Sequence, residues 1–183
     1  SSTCPYAAGA SFDSWKQGYA ARASKRGLSR RFVLKTLASI KPDQKVVKKD
    51  KNQVVLNKKI DYRRFIKQWL RDGERVAEGK KQLKANLSLL RKIEKAYGVD
   101  KEVIISLWGV ETLYGKINGD YNVIRSLATL AHHGRRRKFY ETQLNAALRL
   151  VRKGHVKVKD LKGSWAGATG QCQFMPSNAL TLA

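Results

Sequence analysis

Glu111 is the residue of this 183-residue sequence whose surroundings best suit proton transfer. It lies in KEVIISLWGVETLYG, residues 101–115, where Val103, Ile104, Ile105, Leu107, Trp108, Val110 and Leu113 make the segment apolar nearly all round. That is the pattern of a helix enclosed by protein. Trp108, Leu107 and Ile104, at i−3, i−4 and i−7, share the face of Glu111. A carboxylate enclosed in this way is desolvated, and its pKa is expected to rise towards neutrality, as a general acid requires. The same pattern fits a buried Glu paired with one of the many Arg or Lys residues, because ion-pair networks also perturb titration; both readings stand at this point. Asp120 is the nearest downstream acid and the candidate for a second carboxylate, although a polar residue beside Gly119 also reads as a turn former. His132 and His133 read as polar residues at a helix end, with no third ligand to suggest a metal site. Cys4 and Cys172 lack the C-x-x-C spacing of a zinc site, and the sequence is compatible with a long-range disulfide or with two free thiols.

The elements that must position Glu111 follow from periodicity. Phe12, Trp15 and Tyr19 predict an amphipathic helix closing at Gly27; Ser29 offers an N-cap for a second helix, carrying Phe32, Val33, Leu37 and Ile40, that stops at Lys41-Pro42. Residues 41–59 are basic, with short Val-Val runs, and read as an extended excursion. From Asp61 to Tyr97 the spacing of Phe65, Ile66, Trp69 and Leu70, then Leu83, Leu87, Leu90 and Ile93, is helical, with Gly73 and Gly79 as candidate breaks into two helices. Asp100 is placed to cap the Glu111 helix and Gly115 to end it. A loop over KINGDYN precedes a short apolar helix, VIRSLATLA, and residues 135–154 form an amphipathic helix through Phe139, Leu144, Ala147, Leu148 and Val151. LKGSWAGATGQCQFMPSN, with three glycines and two serines around Trp165, Phe174 and Met175, suits a backbone-lined groove wall better than a regular element.

Composition narrows the partners. A hydrophobic content of 42% supports a real core, alone or with a small helical appendage. Against 14 acidic residues the 38 Lys and Arg give a formal charge of +24, which favours polyanions such as nucleic acid, anionic lipid or an acidic cell-wall polymer. A nucleic-acid binder would set aromatics among basic residues on one exposed face, whereas here they fall on apolar stripes. No apolar run approaches the ~20 residues needed to span a bilayer.

Three stretches in order, YGVDKEVIISLWGVETLYG, GRRR at 134–137 and LKGSWAGATGQCQFMPSN, resemble the lytic murein transglycosylase B family from about Ser11 to Asn178. The resemblance implies an all-α fold: a goose-lysozyme-like catalytic core over residues 60–183, preceded over 1–59 by an N-terminal helical portion and basic loop. It implies cleavage of the β-1,4 bond between N-acetylmuramic acid and N-acetylglucosamine in peptidoglycan, with a 1,6-anhydro product, no cofactor, and a place in the periplasm or cell envelope. The family's acid/base glutamate, in its G-[IVL]-E motif, falls on Glu111. Its N-acetyl-binding serine falls on Ser164, its Q-F-M-P segment on Gln173 and Met175, and its paired arginines, facing stem peptide or sugar, on Arg135 and Arg136. A single convincing carboxylate fits such a mechanism better than a two-carboxylate hydrolase. The alternative is a basic module holding peptidoglycan or another anionic polymer, or a membrane surface, with little or no catalysis. The sequence departs from the family at Ala179, where tyrosine is usual, and at Cys172, and it stops at Ala183 before an Asp- and Gly-rich segment. One wall of the groove is therefore expected to be incomplete and turnover slow.

Overall fold

The computed structural model describes residues 11–53, 62–70 and 73–182. Cys4 and the expected division at residues 59 and 60 lie outside them. The described residues form ten helices and one short two-stranded ribbon, an all-α architecture. The first two helices, α1 (Phe12–Ser24) and α2 (Arg30–Leu37), begin where Ser11 and Ser29 cap them, each side chain accepting an N–H three residues on. They are joined through Gly27, whose φ is +83°.

Residues 44–52 are not the expected extended excursion but a helix, α3 (Gln44–Asn52), capped by Asp43. Its lysines are solvated, and it buries only Val46 and Asp50, four residues apart on one face. Two inward positions in a basic run are too few for periodicity to show. Between Asp61 and Tyr97 there are three helices, not two: α4 (Tyr62–Leu70), α5 (Glu74–Ala85) and α6 (Leu87–Tyr97). Gly73 is a break, with φ +96° at the N-cap of α5. Gly79 is not, because it sits inside α5; the second break is at Asn86, whose side chain donates to the Gln82 carbonyl.

The Glu111 helix is α7 (Lys101–Thr112). Asp100 stands at its N-cap position but its side chain caps nothing. Glu94 of α6 does this instead, its Oε1 accepting from the Lys101 N–H at 3.2 Å and from Lys101 Nζ at 3.3 Å. The two hydrogen bonds from Lys101, backbone first, hold the Glu94 carboxyl below its usual pKa. After α7 the chain forms β1 (Tyr121–Asn122), α8 (Val123–His133), α9 (Arg137–Arg152), β2 (Lys162–Gly163) and α10 (Pro176–Leu182). The loop expected over 116–122 therefore ends in a strand, antiparallel to β2 with Tyr121 opposite Gly163.

Two apolar cores result. The main one packs Trp15, Tyr19, Leu28, Val33, Leu37 and Val46 of the first three helices and their turn against Ile124, Leu127, Leu130, Leu144 and Leu148 of α8 and α9. Burying each such side chain contributes about 1.5–3 kcal/mol. Arg22 fastens α1 to α9 by pairing with both carboxylate oxygens of Glu141, which is 3% exposed. The smaller core, Leu90, Ile105 and Tyr114 with Leu83, Ile104 and Trp108 against it, joins α5, α6 and α7. Glu111 is carried by this second unit.

Candidate functional site

Only one face of α7 is covered. Ile105, Gly109 and Thr112 are buried, while Val103, Leu107 and Val110 are exposed. Glu111 is exposed as well, which corrects the expectation of an enclosed carboxylate. The facial pattern itself holds: Ile104, Leu107, Trp108 and Glu111 line one groove together. That groove has a volume of about 460 Å³; α6 forms its second side through Leu89, Leu90 and Ile93, and Gln171, Cys172 and Phe174 close one end. Glu111 is the carboxylate in this lining, and Asp120 does not contribute.

The end of α7 is held in an unusual backbone shape. Leu113, Tyr114 and Gly115 follow one another at φ +52°, +58° and +82°, a left-handed run that non-glycine residues adopt only when their surroundings compensate. The compensation is visible. Thr112, 1% exposed, donates its hydroxyl to the Gln171 carbonyl at 2.8 Å and accepts the Gly115 N–H at 3.0 Å. The reversal turns Tyr114 back between α5 and α7, where its ring lies edge-on to Trp108 at 5.7 Å and its hydroxyl donates to the Arg75 carbonyl at 2.8 Å. Burial raises the Tyr114 pKa and so keeps it the phenol that can donate. The side chain lies so close to Gly79 and Gly109 that a Cβ would come to 2.5 Å from its hydroxyl oxygen at the first and from both its ring and its hydroxyl at the second. These contacts fix the last turn of α7, and with it Glu111.

The 161–178 stretch forms a wall built on its backbone. Gly163 and Thr169, then Thr169 and Phe174, pair as antiparallel bridges. Ser164, half-buried, accepts the Ala168 N–H on Oγ at 3.0 Å, so its hydroxyl oxygen shapes the turn. Gln173, at φ +48°, donates Nε2 to the carbonyls of Gly170 at 2.9 Å and Asn118 at 3.2 Å. Asn118 in turn donates to the Gly115 carbonyl. Met175 packs against the main core. Thus Ser164, Gln173 and Met175 all belong to the wall, while its groove-facing members are Gln171, Cys172 and Phe174. Cys172 is an exposed thiol.

Arg135 and Arg136 do not line the groove. They precede α9, where Arg135 donates to the Asp50 carbonyl at 3.2 Å and stands 3.8 Å from its carboxylate, and Arg136 lies over the Phe139 ring at 4.1 Å. Sequence reasoning missed Thr112 and Gln171, which join the Glu111 helix to the wall, and Tyr114, which joins it to α5. The signal available was a hydroxyl residue immediately before L-Y-G, at a helix end that must reverse.

Comparison with known proteins bears on this arrangement. A family model described as the transglycosylase SLT domain matches residues 11–183. Membrane-bound lytic murein transglycosylase B of Escherichia coli (strain K12) is 38% identical over 90 residues, which is 49% of this chain and 25% of that protein. The crystal structure of SltB3 from Pseudomonas aeruginosa in complex with NAG-NAM-pentapeptide matches with a TM-score of 0.87 at 35% identity, covering 96% of this chain and 46% of that one. The Escherichia coli lytic transglycosylase Slt35 in complex with bulgecin A matches with a TM-score of 0.80 at 28% identity, over 90% of this chain and 52% of that one. The chain therefore spans roughly half the length of these solved relatives and a quarter of the curated one. The shared fold is the all-α, lysozyme-like one.

Proposed function

Because the chain belongs to the transglycosylase SLT domain family, within its lytic murein transglycosylase B group, we propose that it acts on peptidoglycan as a lytic transglycosylase, with Glu111 as acid and base. The observation that carries this reading is the placement of one carboxylate, Glu111, on an apolar groove whose end wall is tied to the same helix by Thr112. In the reaction Glu111 protonates the oxygen linking N-acetylmuramic acid to N-acetylglucosamine as the C1–O bond breaks. As carboxylate it then takes the proton of the muramyl C6 hydroxyl while that oxygen bonds C1. The product is a 1,6-anhydro end, the proton count of Glu111 is restored, and no water is consumed. Desolvation favours the protonated form of a carboxyl, and a sugar seated over Trp108 would displace water from this edge of the groove. Ser164, Gln173 and Met175 act through the wall they build, holding the sugar in place. Arg135 and Arg136 act at a distance from the reacting bond. The site of action is the periplasm or cell envelope, where the glycan strands are.

The formal charge of +24 supports a second reading, a basic module that holds an anionic wall polymer without cleaving it. Glu111→Gln separates the two. The amide keeps the shape and loses the transferable proton, so release of anhydro-muropeptides from purified sacculi, followed by mass spectrometry, should vanish while the variant melts as the parent does. Parent-level product from Glu111→Gln would remove Glu111 from the mechanism, and absence of product from the parent itself would favour the binding module.

A further inference from the structure

A second concavity, of about 350 Å³, is bordered by Arg26 just beyond α1, by Thr142, Asn145 and Arg149 on α9, and by Ser177 on α10. Its size falls in the range of about 300–1,000 Å³ usual for small-ligand sites. It shares no lining residue with the groove, yet the segment from 171 to 180 contributes to both.

The polar lining is rich in donors and contains no carboxylate. Glu141, next to Thr142, is already neutralised by Arg22. Among the described residues Arg26 and Arg149 pair with no acid. Arg149 is held in place because its Nη2 donates to the Arg26 carbonyl. Ser177 is held by Gln143, which donates to its Oγ and accepts its N–H, both at 3.0 Å; its own O–H is left to be donated. Two buried donors have no acceptor: Arg149 Nε, and Nδ2 of Asn145, a residue only 7% exposed. A buried donor left without a partner is costly, and the terminal torsion of an Asn amide is soft enough to turn towards a seated oxygen. Guanidinium, amide and hydroxyl donors converging on one hollow suit an oxyanion. Ala146 and Leu180 supply small apolar walls beside them, which suit an alkyl group attached to that anion better than a free phosphate. We infer that this pocket binds the carboxylate of a small aliphatic ligand, for which a capped alanine dipeptide serves as the probe.

The test is an NMR titration of the isotope-labelled chain, at fixed ionic strength, with acetyl-alanyl-alanine, with its C-terminal amide and with inorganic phosphate. The free acid should give saturable shifts centred on Thr142, Asn145 and Ala146, and the amide should bind about tenfold more weakly, the loss expected for a charge-assisted contact. Arg26→Gln should weaken the acid by a similar factor. Arg26 is exposed and the carbonyl it offers Arg149 is main-chain, so that variant keeps the fold. Lys25→Gln removes a neighbouring charge that does not line the pocket and should leave binding unchanged, whereas Ser177→Ala, which removes the hydroxyl left to donate, should weaken it without altering charge. Equal losses for the Arg26 and Lys25 variants would mean that only the diffuse positive field is at work. That result, equal binding of acid and amide, tighter binding of phosphate, or shifts that never saturate would each overturn the assignment.

Discussion

Between Glu111 and the wall at 171–174 lies the hydroxyl of Thr112, and the placement of the proposed acid depends on it. Thr112→Val keeps the shape and removes the hydroxyl, leaving the Gln171 carbonyl and the Gly115 N–H without their partner. The expected cost is about 1–3 kcal/mol, seen as a lower melting temperature. Digestion of sacculi should slow with it, while Thr112→Ser, which keeps the hydroxyl, should stay near the parent in both. A valine variant that melts and digests like the parent would show that the wall is held in some other way. At this scale the sequence was partly legible. The i−3, i−4 and i−7 pattern put Ile104, Leu107 and Trp108 beside Glu111, and they do line one groove with it. Whether that stripe is covered depends on what packs over it, and α7 gives its covered side to Ile105, Gly109 and Thr112 instead. The local pattern carries no information about that choice.

Among the elements, α5 and α7 approach at a spacing set by Tyr114, whose hydroxyl and ring occupy the space that side chains at Gly79 and Gly109 would need. Gly109→Ala puts a methyl within 2.5 Å of the ring and should destabilise by about 1–3 kcal/mol through overpacking, displacing the last turn of α7. Tyr114→Phe loses only the donation to the Arg75 carbonyl and should cost about 0.5–1.5 kcal/mol. The order of melting temperatures should thus be parent, Tyr114→Phe, Gly109→Ala, and a reversed order would contradict this account of the contact. The other end of α7 is pH-sensitive. The folded-state pKa of Glu94 is lowered by Lys101, so its contribution is present above the unfolded value of about 4.3 and fades as pH falls through the folded value. Melting curves of the parent and Glu94→Gln should differ near neutral pH and converge in acid; a gap that persists in acid would rule the linkage out. Helices α1, α2, α8 and α9 were readable because each pairs a recognisable apolar stripe with a plain start or stop. Helix α3 was hidden by its lysines, and the capping role of Glu94 by the six residues that separate it from the helix it caps.

For the whole molecule the governing quantity is the formal charge of +24, which acts on any anionic polymer whether or not the chain cleaves it. Fields of this kind are screened over about 8–10 Å at 0.1–0.15 M salt, so retention on sacculi should fall steeply as ionic strength rises. The proposed chemistry depends on one carboxylate in the groove and on neutral contacts around it, and those respond little to salt. Binding and turnover should therefore separate. Glu111→Gln, which removes one negative charge from a site the field already favours for anions, should be retained on sacculi at least as well as the parent at every salt concentration while releasing no anhydro ends. Paired co-sedimentation and product analysis across a salt series would measure both. Retention lost in parallel with activity in Glu111→Gln would mean that the groove carboxylate itself anchors the polymer. Retention insensitive to salt would mean that the positive field does not hold the chain on the wall.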